Sequence, residues 1–217
     1  MGDGRSGTNI SGVFLFGLAV PGAAIPFRQV LHELNEFLSG SDVAYAVTGG
    51  VAVARSGSSR TTGDIDVLLR RDEWHRLLES GNTTAFDTGP DWATHRASST
   101  PIDLLFAGDD WDLPFLLPDP EEVREWDAAA GAWFMAPRPL VELKAAVYLS
   151  KRREYGEATA AHDLADLSAL LTANPDLRAD AVIDGLHPSV RHVVASTIRE
   201  VERYRRKRPK QPPEREP

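Results

Sequence analysis

Three aspartates and a pair of glycines are the residues of this chain that could act together on a substrate: Gly49-Gly50, Asp64, Asp66 and Asp103. Asp64 and Asp66 flank Ile65 in the run Asp64-Ile65-Asp66-Val67-Leu68-Leu69, which reads as a strand. Side chains two apart in a strand share a face. Both carboxylates are therefore expected side by side, with Ile65 and Val67 turned to the core. Adjacent carboxylates resist joint ionisation unless a cation sits between them. Mg²⁺ suits such a pair, because it takes one or two carboxylates and completes its shell with water and substrate phosphate oxygens. Asp103 sits in a second apolar strand, Pro101-Ile102-Asp103-Leu104-Leu105-Phe106. Burying an unpaired carboxylate there would be costly, so a partner is implied. A third carboxylate could complete a two-metal site, one ion activating the nucleophile and the other holding the leaving phosphate. Gly49-Gly50 follow the short apolar strand Val43–Val47 and let backbone N–H groups approach phosphates without a Cβ in the way.

Each piece alone has a plainer reading. An Asp-x-Asp pair also occurs as a calcium site, a surface turn or a salt-bridged edge. A Gly-Gly after a strand is ordinarily a turn. Their occurrence in order is what points to metal–nucleotide chemistry.

The elements that must position these residues are legible from periodicity. Phe27, Val30, Leu31, Leu34 and Leu38 recur at helical spacing, predicting a helix over 26–38 that Gly40-Ser41-Asp42 ends. A short helix is expected over 51–55 and another over 72–78 with Asp72 as its cap. Residues 81–100 mix turn residues with strand-like pieces. Three prolines and many acids make 109–127 a loop with a helical turn or two, before a short strand over 132–136. Helices follow over 140–153, 160–171 and 189–206. Strands followed by helices imply an α/β or α+β core with a helical C-terminal part.

Taken in order, Gly49-Gly50, Arg60-x-Thr62-x-Asp64-Ile65-Asp66 and Asp103 resemble the nucleotidyltransferase superfamily with the DNA polymerase β-like palm. The likeness is to the minimal bacterial nucleotidyltransferases and the abortive-infection type nucleotidyltransferase toxins, over residues 43–171. It implies an α/β (α+β) palm with a mixed sheet flanked by helices. By the same resemblance Asp64, Asp66 and Asp103 bind two Mg²⁺ ions, and Asp103 helps deprotonate the acceptor hydroxyl. Gly49, Gly50 and Arg60 would hold the triphosphate of an NTP. Val51 stands where many members carry Ser or Thr, so a hydroxyl contact to phosphate is missing.

Leu140-Val141-Glu142-Leu143-Lys144 matches the family's apolar-x-x-Leu-Lys helix start. Lys144 lies on an otherwise apolar stripe with Leu140 and Tyr148. Its ammonium could snorkel to water; the reading preferred here aims it inward at the triphosphate. Asp163-Leu164-Ala165-Asp166-Leu167 resembles the family's Asp-Leu-x-Asp-Leu helix, and Asp163 and Asp166 are further candidates. The alternative for them is favourable interaction with a helix N-terminus. His162 stands where toxin-type members carry a basic residue. Lys151, Arg152 and Arg153 read as a solvated helix end, with a phosphate or RNA contact as the minor alternative. The five tryptophans are scattered and read as packing, and the histidines lack metal-ligand spacing.

Composition narrows the function classes. The 217 residues contain no Cys, which excludes disulfide scaffolds, thiolate zinc sites and a cysteine nucleophile. The formal net charge is −8, yet residues 203–217 hold seven Lys/Arg against two Glu, leaving −13 for the rest. A basic tail on an acidic body suggests non-specific phosphate attraction or a solvated end. The apolar stretch Gly12–Val20 is shorter than the roughly 20 residues a spanning helix needs. With Asp3 offsetting Arg5, it reads as an N-terminal extension rather than a secretory signal.

The expected organisation is an extension over 1–25, a nucleotidyltransferase core over 26–136, a helical part over 137–202 and a basic tail over 203–217. The expected activity is that of a cytoplasmic, Mg²⁺-dependent enzyme moving a nucleoside monophosphate from NTP to an acceptor hydroxyl, with no membrane partner. An RNA end, such as a tRNA 3′ terminus, is the acceptor that toxin relatives imply, with an antitoxin protein as partner. An antibiotic or a protein hydroxyl is the alternative acceptor. The competing reading from another class is a catalytically silent interaction module, against which the presence of all three aspartates speaks.

Overall fold

The computed structural model describes residues 27–58, 62–81 and 85–207. The N-terminal extension, Arg60 and the end of the basic tail lie outside the described residues.

Helix α1 (Phe27–Ser39) buries the five apolar residues that its periodicity singles out. It leads into β1 (Tyr45–Thr48), whose four residues are all buried, and directly into α2 (Gly49–Arg55). Strand β2 (Ile65–Leu69) and helix α3 (Arg71–Ser80) follow. Arg70, not Asp72, holds the N-cap position of α3; Asp72 and Glu73 lie in its first turn, where acids complement the helix dipole. The ambiguous stretch after α3 contains two short strands, β3 (Phe86–Thr88) and β4 (Trp92–His95), before β5 (Thr100–Phe106). The acidic loop ends in a single turn, α4 (Pro120–Val123), whose N-cap Asp119 accepts the N–H of Glu121. The last four residues of the expected loop are instead a strand, β6 (Arg124–Asp127), paired antiparallel with β7 (Ala132–Met135). An acid-rich edge strand carries no apolar alternation to reveal it.

The seven strands form one mixed sheet in the order β3-β4-β5-β2-β1-β7-β6. Strand β2 is near the centre, antiparallel to β1 and parallel to β5. Ile65 and Val67 are fully buried while Asp66 is half-buried, so β2 carries its carboxylate on the less covered side. Two guanidinium groups fix the surroundings. Arg70 binds Asp119 through two nitrogens and also reaches Glu73 and Glu121, tying the end of β2 to the start of α4. Arg55 binds Asp127 and Glu125, tying the end of α2 to β6.

The chain then becomes helical: α5 (Pro137–Tyr155), α6 (Glu157–Ala173), a 3₁₀ turn over Pro175–Arg178, α7 (Asp180–Asp184) and α8 (Pro188–Lys207). The 3₁₀ turn and α7 are short additions to the three expected helices. Helix α8 buries Val190, Val193, Val194, Thr197, Ile198 and Val201, and packs on α5 and α6. No helix among the described residues is long and apolar enough to cross a membrane.

Candidate active site

The sheet register assembles the site. Thr48 of β1 pairs with Asp66 of β2, and Asp66 pairs with Asp103 of β5. Strands lie about 4.8 Å apart, so these three side chains form one cross-strand row. Asp64 sits in the bend just before β2 and accepts a hydrogen bond from Thr62 Oγ1 at 2.6 Å.

The carboxylates act on one another. Burial raises the Asp66 carboxyl above its ordinary range, and the charges of Asp64 and Asp103 push the same way. Lys144 and the N–H of Gly50 oppose that rise. Burial, then the Asp64 charge, raises Asp103 as well.

Gly49 has φ +60 and lies against the Asp66 carboxylate, which a Cβ at Gly49 would overlap. Glycine is required there both for backbone conformation and for space. The N–H of Gly50 donates to Asp66, so the amide expected to meet phosphate meets a carboxylate here. Val51, at the position of the missing hydroxyl, is fully buried in the core.

A cleft of about 460 Å³ opens beside this row, within the range that small ligands occupy. Gly49, Asp66 and Leu105 line its sheet side, and Leu143, Lys144 and Lys151 line its helical side. Lys144 is buried and reaches Asp163 at 3.2 Å and Asp166 at 2.9 Å. Lys151 reaches the other Asp163 oxygen at 2.8 Å. Burial alone would raise Asp163, but the hydrogen bond from Lys151 and the charges of both lysines outweigh it and hold this carboxyl below its ordinary range. Asp163 and Asp166 lie well inside α6 rather than in its first turn. They pair with the lysines and do not sit where they could offset the dipole of α6.

Lys151, read from the sequence as part of a solvated helix end, is half exposed but also pairs with Asp163 and lines the cleft. It lies two turns from Lys144 on α5, a spacing that returns to the same face. That spacing was the signal available. Arg60 lies outside the described residues.

Among the described residues, no group of three or more His, Asp or Glu side chains is set as a ready-made metal cage. The donor set nevertheless fits Mg²⁺: hard oxygen ligands, mutually repelling, beside a cleft open to a substrate whose phosphates would complete the shell. The arrangement suits polarisation of a phosphoryl group and in-line displacement at it.

No protein-family model matches this sequence, and no curated protein matches it. Solved structures do. The antigenic nucleotidyltransferase-like protein from Paracoccidioides brasiliensis superposes with a TM-score of 0.55 at 14% identity, over 82% of this chain and 90% of its own. The antibiotic-resistance factor ANT(2'')-Ia gives a TM-score of 0.48 at 12% identity, over 83% of this chain and 97% of its own. The fold is thus nucleotidyltransferase-like, with a mixed α/β sheet followed by C-terminal helices.

Proposed function

We propose that this protein is a Mg²⁺-dependent nucleotidyltransferase that moves a nucleoside monophosphate from an NTP to an acceptor hydroxyl. The observation that carries the reading is the row of Asp66 and Asp103, electrostatically joined to Asp64, at the edge of a cleft shared with Gly49 and Lys144. The nucleotidyltransferase-like fold supports it. Asp64, Asp66 and Asp103 would hold the metal. Bound there, Mg²⁺ would neutralise charge on the phosphates and lower the pKa of the acceptor hydroxyl.

The chain's own residues supply the rest. Asp103, the outermost carboxylate of the row, takes the acceptor proton. The acceptor oxygen forms a bond to the α-phosphorus, the bond to the bridging oxygen breaks, and pyrophosphate leaves. Lys144 and Lys151 offer positive charge on the helical side of the cleft, where the departing phosphates would lie. Catalysis of this kind is mostly positioning and charge neutralisation.

The RNA end implied by the toxin resemblance rests on the basic tail. Arg203, Arg205, Arg206 and Lys207 close α8, and none of them lines the cleft.

Incubation with Mg²⁺, labelled NTPs and candidate acceptors tests the reading. Pyrophosphate release is expected, reduced by about 100-fold or more in Asp103→Asn. A folded protein that neither binds Mg²⁺–NTP nor releases pyrophosphate would refute it.

A further inference from the structure

Two exposed aromatic side chains that line the cleft have no part in the chemistry derived above. Lys144, Val147, Lys151 and Tyr155 line it at steps of three and four residues, so the cleft follows one face of α5. From Lys144 to Tyr155 that helix rises about 16 Å. The loop between β5 and α4 contributes Trp111, Leu113 and Leu117 to the same cleft. Arg153 donates to the Asp112 carbonyl at 3.3 Å. The hydrogen bond to Glu154 raises the Tyr155 hydroxyl above its ordinary range, and the charge of Asp112 adds to the rise. The loop therefore meets α5 at its C-terminal end, and Trp111 and Tyr155 lie at that end of the cleft.

Neither ring is core packing, the role that the sequence suggested for Trp111: it is 53% exposed, and Tyr155 is 63% exposed. Trp111 and Asp112 both hold positive φ, 46° and 56°, a conformation that bulky side chains rarely adopt. The neck of the loop fixes it. The N–H of Gly108 donates to the Leu117 carbonyl at 2.9 Å, the N–H of Leu117 donates to the Asp109 carbonyl at 2.8 Å, and Arg71 binds the Asp109 carboxylate at 2.7 Å. Leu117 itself is buried. Backbone strain on a firmly tied loop that presents an exposed indole to a cleft is characteristic of a ligand clamp.

Charge decides which part of a nucleotide lies there. Lys144 and Lys151 reach the two oxygens of one carboxylate, Asp163, so their ammonium groups converge on a single point. Phosphates belong at that point, and the nucleoside takes the remaining length of the cleft. Towards Trp111 and Tyr155 the lining offers the carboxylates of Asp112 and Glu154 and the apolar Leu113 and Val147, while the two lysines are the only cations among the described residues that line the cleft. A further anionic group is disfavoured at that end, and a flat, uncharged ring is favoured.

We propose that Trp111 and Tyr155 form the nucleobase subsite of this cleft, and that the nucleotide it takes best is a purine triphosphate. The inference rests on the nucleotidyltransferase reading, which supplies the NTP. With the base stacked at these rings and the terminal phosphates at the lysines, the α-phosphorus is fixed between two anchors, as in-line attack requires. Stacking reads the area of a ring and not its hydrogen-bonding edge, so the larger purine gains more than a pyrimidine.

The test titrates wild type, Trp111→Ala, Trp111→Phe and Tyr155→Ala, each checked for an unchanged thermal midpoint. The probes, all with Mg²⁺, are a non-hydrolysable ATP analogue, the matching CTP analogue and inorganic tripolyphosphate. Wild type should bind the ATP analogue several-fold more tightly than the CTP analogue. Trp111→Ala should weaken the ATP analogue about tenfold, within the worth of one stacked base, with a loss of the same direction in Tyr155→Ala and recovery in Trp111→Phe. Tripolyphosphate, which carries the charge without the base, should bind all four proteins alike. The ATP analogue should quench tryptophan fluorescence in wild type and no longer do so in Trp111→Ala. An unchanged affinity for the ATP analogue in Trp111→Ala, an equal loss of tripolyphosphate binding, or a preference of wild type for the CTP analogue overturns the subsite and leaves the nucleotidyltransferase reading standing. Wild type that binds neither nucleotide analogue overturns both.

Discussion

Burial and the Asp64 charge raise the Asp66 carboxyl, and the consequence for stability has a definite sign. A folded-state pKa above the unfolded value means that the unfolded chain releases this proton first. Stability therefore falls as pH rises from the unfolded carboxylate pKa to the raised folded one, and the cost persists at neutral pH. Asp66→Asn removes the charge while its amide oxygen can still accept the N–H of Gly50. The expected outcome is a thermal midpoint at pH 7 higher by a few degrees, a flatter pH–stability profile on the acid side, and loss of pyrophosphate release. Added Mg²⁺ should raise the midpoint of wild type more than that of the variant, because a ligand bound only by the folded state stabilises it. Thermal melts across pH, with and without Mg²⁺, check both. A cation bound between these carboxylates would offset this cost.

At the scale of elements, the junction of α5 and α6 is held by charge as well as by apolar packing. Lys144 is enclosed by Asp163 and Asp166, and Lys151 closes the cluster from the solvent side. Asp163 is held low, so its contribution is present above the unfolded carboxylate pKa and is lost as pH falls through the folded one. Asp163→Asn strands part of a buried ammonium and should cost about 3 kcal/mol in chemical denaturation. Lys144→Ala leaves two carboxylates without it and should destabilise comparably. Loss of stability then accompanies any loss of nucleotide binding, so Lys144→Ala alone does not separate the two roles. Lys151→Met does, because Lys151 is half exposed. It should weaken nucleotide binding, measured by titration, with a much smaller shift in the denaturation midpoint. An equal effect on both would make Lys151 purely structural.

Across the whole molecule the charge is divided between an acidic body and a basic end. Val201 is the last buried residue of α8, and the residues of that helix after it, up to Lys207, are exposed. Deleting 203–217 should leave nucleotide binding and the thermal midpoint unchanged. Any affinity for an oligoribonucleotide should fall, and its dependence on salt should flatten as fewer counterions are released. Binding curves at several salt concentrations measure this. Unchanged RNA binding after truncation would move the contact to the body.

The local elements were legible in the sequence because their causes are local. The helical spacing of Phe27, Val30, Leu31, Leu34 and Leu38 produced α1, and the alternation around Asp66 set its carboxylate opposite Ile65 and Val67. The order of glycines and aspartates pointed to metal–nucleotide chemistry. Strand β6 was hidden because its residues Arg124-Glu125-Trp126-Asp127 lack apolar alternation and gain their place by pairing with β7. The rest of the site needed contacts between segments far apart in the chain. Only strand register could bring Thr48 and Asp103 to either side of Asp66. Only the packing of α5 on α6 could enclose Lys144 with Asp163 and Asp166 and draw Lys151 into the cleft. Residue types and periodicity determine which face a side chain takes on its own element; which other face it meets is decided by how the elements pack.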